Sequence, residues 1–422
     1  MLQGKNYFCR ITKVTGIQTK VKKSKLFHVK QFKIEFMERY IMQALAGIKV
    51  IDFSKWLPGQ YCGMLLGDYG ADVIKVEDMG GDSTRRFFPE KEEGMSYWHL
   101  MLNRNKRGIA LDIRSAEGQE VLRRLLSDAD VFLEGFRPGY LARYGLDYES
   151  IKKINPRIVY CSITGFGQNC HKPAHDLNVI GLAGLNSMDD IGSACVSEVQ
   201  VSAIGSSLNA LSAICMALLA RERTGIGQFL DVNLYATALS MQVTGISSVW
   251  GCEETGDKPF GRTAHYYNIY KTKDGRYLTV GTLEPKFWQS FCHLIGCPEL
   301  EKRQYDFVHK EEIVATISEK LAQKTQAEWL ELIGSAEFCV TPVLNVAEAL
   351  ETELTAQENM LFTEECDLGK IRYVGAPVKF SDYECSIRRR APRLGEHGSE
   401  ILAELGYSEE EASQMQESGK VK

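Results

Sequence analysis

Short apolar runs alternate with helical patterns through the first half of the chain, and this alternation limits the fold more than any other feature. The runs IKVIDFS (48–54), ADVIKVE (71–77), DVFLEGF (130–136) and PRIVYCSITGFG (156–167) have the lengths of buried strands. Helical patterns lie between them, as in SAEGQEVLRRLLSDAD (115–130). This order predicts a parallel sheet covered on both faces, in a doubly wound α/β domain whose ligands bind at the carboxyl ends of the strands.

The pattern changes near residue 262, where a second and smaller α+β domain is predicted. YYNIYKTKDGRYLTVGTL has two strand patterns joined by a Lys-Asp-Gly turn, and amphipathic helices follow near 285–296, 311–322 and 326–334. The longest uncharged stretch, Val199 to Ala220, contains several serines, a glutamine and an asparagine. We therefore expect a buried helix there and not a membrane span.

Charge is distributed unevenly between the amino terminus and the rest of the chain. Residues 1–42 carry 10 Lys and Arg against 2 Glu, which leaves 40 basic and 53 acidic residues elsewhere. A nucleic-acid arm or a transit peptide would explain such a leader, but it has one serine, more lysine than arginine and no apolar core. A disordered tail, or translation that starts at Met37 or Met42, is favoured, and the predicted leader spans 1–43.

The twelve cysteines and the absence of common motifs exclude several kinds of site. No C-x-x-C pair occurs, so we expect neither a metal site nor a disulfide framework, and reduced thiols favour a cytoplasmic location. PGQYCG follows the first strand where a dinucleotide-binding protein would have G-x-G-x-x-G, so no nicotinamide or flavin is expected. The P-loop, G-x-S-x-G and H-E-x-x-H motifs are absent.

Several ordered stretches resemble the family III CoA-transferases, the CaiB/BaiF group that also contains α-methylacyl-CoA racemase. They are LAGIKVIDF, LLGDYGADVIKVE, NRNKRGIALDIRS, DVFLEGFRPGYLARYGLDYESIKKINPRIVYCSITGFGQ, ARERTGIGQ, YYNIYKTKDGRYLTVG and APRLGEHGSEILAELGYSEEE. The resemblance spans roughly residues 44 to 415. It is carried by many motifs in the same order.

The resemblance implies a Rossmann-like large domain, a small domain, a chain that returns to the large domain, and two subunits interlocked as a homodimer. The large domain would comprise 44–240 and 375–422, and the small domain 260–350. The linkers would be 241–259 and 351–374. The arginines of IRRRAPRLGEHG fit this return, so we expect no nucleic-acid partner and no membrane partner.

The resemblance also implies a site for coenzyme A, the carrier of the acyl substrate. By position, Trp56 and Leu57 match a loop that lines the nucleotide. The other matching positions are Leu111, Arg114, Phe136 and Arg143, with Lys106 as a nearby basic residue. Solvated surface charge is the competing interpretation for Arg114 and Lys106. Two positions depart from the family: Asp78 replaces a common arginine, and Gly135 replaces a common asparagine.

The pair His175-Asp176, within PAHDLNVIGLAG, resembles the racemase branch of the family. A racemase removes the α-proton of a 2-methylacyl-CoA and returns it to the other face, for which a neutral histidine is suited. LEPKFW (283–288) also resembles that branch. His175 is therefore the candidate base, Asp176 a neighbour that tunes it, and Glu284 an orienting partner. A satisfied core histidine is the competing interpretation.

The aspartate that the family uses as transferase nucleophile, and as the racemase's second acid/base group, has no counterpart at the expected position. Counting back 18 residues from Arg221 reaches Ala203, and no aspartate occurs between Asp190 and Asp231. Glu198 is the acidic residue nearby. We expect CoA transfer between a thioester and a carboxylic acid; the alternatives are racemisation or other α-proton chemistry with His175, and acyl-CoA binding without turnover.

Overall fold

The computed structural model describes residues 43–186, 198–256, 264–334, 339–383 and 385–422. The predicted basic leader lies outside these ranges, apart from its last residue. Its nature therefore stays a prediction.

Six parallel strands form the principal sheet, in the order β5-β2-β1-β6-β7-β8. They are β1 (Lys49–Phe53), β2 (Asp72–Glu77), β5 (Lys106–Ala110), β6 (Val131–Glu134), β7 (Val159–Thr164) and β8 (Phe229–Asn233). Counted along the chain this is the Rossmann order 3-2-1-4-5-6, and the direction of winding reverses between β1 and β6. The predicted α/β fold with a parallel sheet is confirmed.

Both faces of this sheet are buried because successive residues of each strand point to opposite sides. Ile51, Phe53 and Phe132 face one core, into which the carboxyl-terminal helices also pack. Val50 and Val131 face the other core. Buried strands of this kind appear in the sequence as continuous apolar runs.

Helices cover the two faces and extend beyond them. Those up to the last strand of the principal sheet are α1 (Trp56–Asp68), α2 (Tyr97–Leu102), α3 (Ala116–Ser127), α4 (Tyr148–Ile154), α5 (Asp176–Leu182) and α6 (Val201–Thr224). After it come α7 (Leu234–Ser240), α8 (Val243–Thr255), α9 (Pro285–Leu294), α10 (Lys310–Leu321), α11 (Gln326–Ile333), α12 (Val346–Leu350), α13 (Glu353–Glu358), α14 (Gly398–Glu404) and α15 (Glu409–Glu417).

Smaller antiparallel sheets make up the rest of the described strands. They are β3 (Glu90–Glu92) with β4 (Met95–Ser96), β9 (Tyr267–Lys271) with β10 (Tyr277–Gly281) and β11 (Val340–Pro342), and β12 (Leu361–Cys366) with β13 (Gly369–Val374). The predicted hairpin is β9–β10, and Gly275 in its turn has φ +79°, a conformation that favours glycine. Buried residues of β10, α9, α10 and α11 share one apolar core there.

Both segments predicted as linkers contain regular structure. Residues 241–259 include α8, and residues 351–374 include α13 and the β12–β13 hairpin. The boundaries of the domains themselves stay a prediction.

The carboxyl terminus adds to the principal core. Ile401 and Leu402 of α14 are fully buried in it. The backbone of Lys422 both donates to and accepts from the backbone of Ala110, at 2.8 Å each. Arg107 on β5 forms ion pairs with Asp72 and with Glu400 and Glu404 of α14.

The long helix α6 differs in part from the prediction of a buried helix. Among the described residues it is long and apolar enough, by length and composition alone, to meet the criterion for a membrane span. Core helices of soluble proteins meet the same criterion, and buried Ala210 and Ile214 pack α6 into the core beside the sheet. Leu208, Met216 and Leu219 on its other side are exposed.

Candidate functional site

A cavity of about 810 Å³ lies where the winding of the sheet reverses. It is lined by residues that follow β1 (Lys55 to Gly59), β6 (Gly135 to Pro138) and the end of β7 (Ile163 to Gly165). This is the edge at which doubly wound sheets bind ligands, because loops from the carboxyl ends of two diverging strands leave a crevice there. The cavity is therefore the candidate active site.

The loop after β1 rests on buried charges. Ser54 donates to Asp52 from its backbone N–H (3.0 Å) and from its hydroxyl (2.5 Å), and the Lys75 ammonium donates to the Ser54 carbonyl. The next residue but one, Trp56, has φ 62°. A non-glycine residue in that region is strained and persists only where its surroundings fix it. The buried charges hold the loop that presents Trp56 to the cavity.

Lys106 belongs to this buried cluster and is not among the residues that line the cavity, so its contact with CoA stays a prediction. Its side chain is fully buried and its ammonium donates to Asp52 (2.8 Å), to the Gln60 carbonyl (2.9 Å) and to Asn103 (2.9 Å). All three protons of the ammonium are used. Burial would raise the pKa of Asp52, but Lys106 and Lys75 together lower it below its usual value.

The loop after β6 presents a second aromatic wall. The backbone N–H of Phe136 donates to Glu134 Oε2 (2.7 Å), and the Phe136 ring stacks on Tyr140 with centroids 5.0 Å apart. The Lys55 ammonium lies 5.2 Å from the centroid of the Phe136 ring. Burial raises the pKa of Glu134 to about 7, against hydrogen bonds from Ser162 and from that N–H.

Asp78 takes part in this side of the site by an ion pair with Lys55. A carboxylate there neutralises a cation that would otherwise be free to pair with a phosphate. Asp78 stands where the family commonly has an arginine, and here its negative charge is paired with Lys55.

The remaining residues predicted to contact CoA divide into three groups. Trp56, Leu57 and Phe136 line the cavity. Arg114 and Arg143 are exposed outside its lining; Arg114 pairs with Asp112 (2.9 Å) and Arg143 lies 6.0 Å from the ring of Tyr140. Leu111 has a fully buried side chain in the core and is not among the residues that line the cavity, so its contact with CoA stays a prediction.

His175 and Asp176 both line the cavity but have different surroundings. His175 is exposed, its ring lies edge-on to Trp56 with centroids 5.7 Å apart, and it makes no side-chain hydrogen bond with a described residue. Asp176 is buried and accepts hydrogen bonds from the Ser202 hydroxyl (2.6 Å) and the Ala203 backbone N–H (2.9 Å). The imidazole is available for chemistry, whereas the carboxylate holds the first turn of α6.

Ala203 and Glu198 also line the cavity, at the start of α6. Ala203 is 2% exposed and offers no acid or base. Glu198 is exposed, and no described residue forms an ion pair with it. Of the two carboxylates that line the cavity, Glu198 is the one that remains unengaged by the described residues.

Glu284 lies elsewhere in the chain. It is exposed and precedes α9, next to the three-stranded sheet, and it is not among the residues that line the cavity. The predicted contact between Glu284 and His175 is therefore not made within this chain. The structure brings together His175, Asp176 and Glu198, and leaves Glu284 apart.

The cavity residues that the prediction from sequence missed include two cations and two aromatic residues. Arg137 and Lys172 are exposed cations, and Phe87 and Trp98 add aromatic surface. Arg137 follows the carboxyl end of β6, a position that the fold itself marks as part of a ligand site. Phe87 and Trp98 lie in the segment between β2 and β5, for which the sequence offers no comparable signal.

The arrangement suits a substrate with an apolar body and an anionic group. Aromatic rings form much of the wall, while Arg137 and Lys172 supply positive charge at the lining. The described residues include no group of three or more side chains suited to hold a metal ion. A carboxylate and an imidazole on one cavity can supply a nucleophile and a general base.

Comparisons with known proteins agree with the resemblance. The model of "CoA-transferase family III" matches residues 45–398. A mouse succinyl-CoA:glutarate CoA-transferase is 35% identical over 87% of this chain and 88% of its own. Human alpha-methylacyl-CoA racemase is 32% identical over 90% of this chain and 99% of its own. The crystal structure of a CAIB/BAIF family protein from Brucella suis has a TM-score of 0.76 and 30% identity, over 86% and 100% of the two chains.

Proposed function

Because this chain belongs to the family III CoA-transferases, an enzyme family that acts on CoA thioesters and carboxylic acids, we propose that it transfers CoA with Glu198 as the nucleophile. The observation that carries the proposal is the position of Glu198. Glu198 lines the same cavity as His175 and forms no ion pair with a described residue. Ala203, where the family's aspartate is expected, lines the same cavity.

The reaction requires one carboxylate that is acylated and regenerated. A Glu198 oxygen attacks the thioester carbonyl, the C–S bond breaks and CoA leaves as a thiolate, so a mixed anhydride forms. The thiolate attacks the Glu198 carbonyl, releases the donor acid as a carboxylate and leaves a glutamyl-CoA thioester. The acceptor carboxylate then attacks that thioester, the C–S bond breaks, and CoA leaves as a thiolate while a new anhydride forms between Glu198 and the acceptor. The thiolate in turn attacks the acceptor carbonyl of this anhydride. Acyl-CoA is released and the Glu198 carboxylate is restored.

The walls of the cavity support the anionic steps. α1 begins at the cavity with no side chain that caps it, and unpaired backbone N–H groups at a helix amino terminus favour negative charge. Arg137 and Lys172 add cationic side chains near the same space. These groups would stabilise a thiolate or an oxyanion that forms next to Glu198.

Trapping of the acylated enzyme tests the role of Glu198. The protein would be mixed with an acyl-CoA, quenched with hydroxylamine and digested for mass spectrometry. A hydroxamate on Glu198 is expected, absent from Glu198→Gln and retained in the matched exposed control Glu319→Gln. A hydroxamate on another residue, or none while transfer proceeds, would overturn the assignment.

α-Proton chemistry is the second candidate, and the position of His175 is the observation that favours it. Its imidazole is exposed at the cavity, held edge-on by Trp56 and not hydrogen-bonded to a described residue. His175 and Glu198 would act as the two acid/base groups on opposite faces of the α-carbon. Acyl-CoA binding without turnover stays the outcome if neither reaction is detected.

A further inference from the structure

Three aromatic rings form a continuous row along one wall of the cavity. The centroids of Trp98 and Phe87 are 5.2 Å apart, and those of Phe87 and Trp56 are 5.7 Å apart. The row ends at His175, whose ring lies 5.7 Å from Trp56. All four side chains line the cavity. We call Trp56, Phe87 and Trp98 the aromatic row.

The aromatic row is unusually accessible for apolar surface in a cavity. Trp56 is 40% exposed and Trp98 is 38% exposed, and Phe88 beside the row is 92% exposed. Covering exposed indole and phenyl surface with an apolar group is favourable in free energy, because it removes that surface from water. An aromatic group adds a further favourable contribution when the rings pair in edge-on or offset geometry. The tilted rings, with interplanar angles of 68° and 46°, leave such faces open.

Charge separates the aromatic row from the part of the site suited to phosphates. Arg137 is an exposed cation that follows Phe136 in the chain, and both residues line the cavity, so a cation accompanies the other aromatic wall. The aromatic row contains no charged side chain and leads away from His175. The pyrophosphate of CoA therefore fits the Phe136 side, and the acyl group, which begins at the reacting carbon, fits the aromatic row.

We infer that the acyl group handled by this enzyme has a bulky apolar body, preferably an aromatic ring, and is not a short dicarboxylic acid. The inference deepens the proposed function and rests on it, because it assumes that the cavity binds a CoA thioester. The competing occupant is a dicarboxylate whose second carboxyl group pairs with Arg137 or Lys172. With an aromatic or branched apolar acid, Arg137 and Lys172 would remain free to pair with the reacting carboxylate or thiolate.

Binding of unreactive thioethers tests the inference without turnover. Calorimetry would compare free CoA, S-propyl-CoA, S-(3-phenylpropyl)-CoA and S-(3-carboxypropyl)-CoA on the full-length protein. We expect the phenyl thioether to bind about tenfold more tightly than the carboxyl thioether, the gain of one well-packed ring. Phe87→Ala and Trp98→Ala should remove most of that advantage and change the affinity for free CoA by less than about twofold.

Tyr305→Ala is the matched control, since Tyr305 is an exposed aromatic residue outside the cavity lining. It should leave all four affinities unchanged. The inference would be overturned if the unmodified protein bound the carboxyl thioether as tightly as the phenyl thioether or more tightly. It would also be overturned if the Phe87 and Trp98 variants lost as much affinity for free CoA as for the phenyl thioether. If none of the four CoA compounds binds, the proposed function fails and the inference fails with it.

Discussion

Two neighbouring residues at the cavity have different roles because their surroundings differ. Asp176 is buried and bonded to the first turn of α6, while His175 is exposed beside Trp56. The sequence placed both at the site but treated Asp176 as a group that tunes the histidine. Only the fold reveals that its carboxylate is already engaged by Ser202 and the Ala203 backbone.

The role of Asp176 can be tested by stability. Asp176→Ala leaves the buried Ser202 hydroxyl and the Ala203 N–H without their acceptor, so unfolding free energy should fall by about 1–3 kcal/mol. Urea denaturation measures the change. Asn178→Ala, an exposed residue on the same helix, is the control and should stay within about 0.5 kcal/mol. Equal stability of both variants would show that Asp176 does not hold α6.

Activity separates Glu198 from His175. Glu198→Gln removes the proposed nucleophile and should lower kcat for CoA transfer on the order of 10³-fold, because loss of a nucleophile abolishes the covalent steps. His175→Asn keeps a polar side chain of similar size and should lower transfer less than about tenfold. Steady-state kinetics with one acyl-CoA and one acid provides the measurement. The reverse ranking would favour α-proton chemistry.

Individual residues show why site prediction from the sequence stopped where it did. Lys106 looked like a free basic residue, but its strand carries it into the protein, where it meets Asp52. The Lys106 ammonium can be buried because it pairs with Asp52, which lies 54 positions away in the chain. No local pattern contains that information. Trp56, Leu57 and Phe136 were predicted from the family resemblance, and in the structure they follow strands of the sheet and line the cavity.

At the scale of elements, the sequence predicted four strands of the principal sheet and missed two. β1, β2, β6 and β7 were found because nearly all of their residues are buried and most are apolar. β5 (Lys106–Ala110) begins with two charged residues and β8 (Phe229–Asn233) is partly exposed at an edge. Polar residues interrupt the apolar run in both segments, so the sequence pattern does not identify them as strands. They form strands because each pairs with a neighbouring strand of the sheet.

A buried histidine connects α2 to the carboxyl-terminal segment. His99 Nε2 lies 3.0 Å from the Pro392 carbonyl oxygen, and Asn103 Nδ2 lies 3.1 Å from His99 Nδ1. Burial and, after it, the positive charge of Arg85 lower the pKa of His99 to about 3. The neutral ring donates to Pro392 and accepts from Asn103, so protonation of Nδ1 would break the second bond.

This histidine predicts a pH dependence of stability. In the unfolded chain its pKa is near 6.5, so below that pH the unfolded state binds a proton that the folded state excludes. Between pH 6.5 and about pH 5 the protein should lose about 2 kcal/mol from this group alone. Chemical denaturation across that range measures it. His99→Gln keeps a donor and an acceptor and should lack this component; an identical pH profile would contradict the account.

At the scale of the whole molecule, one exposed helix carries apolar side chains that pack into no core of the described chain. α8 (Val243–Thr255) has no buried residue, and Val243, Val249 and Trp250 are exposed on it. Met216 and Leu219 of α6 are exposed as well. A helix with apolar side chains and no core of its own is expected to pack against another surface. The predicted homodimer would supply that surface.

Oligomeric state is therefore a direct prediction. We expect a dimer by light scattering at micromolar concentration, because an obligate pair buries such apolar faces. Trp250→Glu should shift the protein toward monomer or aggregate, since a carboxylate would enter an apolar contact. Val308→Glu is the control, because Val308 is 89% exposed and lies in another part of the chain. A stable wild-type monomer would contradict the prediction.

The central claim is that this protein transfers CoA, and one measurement in heavy water tests it most directly. The protein would be incubated with a 2-methylacyl-CoA, a linear acyl-CoA and a panel of free carboxylic acids, and the products analysed by mass spectrometry. We predict that CoA moves to a new acid and that no deuterium appears at the α-carbon. Deuterium at the α-carbon, with CoA retained on its original acyl group, would contradict the claim and assign the chemistry to His175.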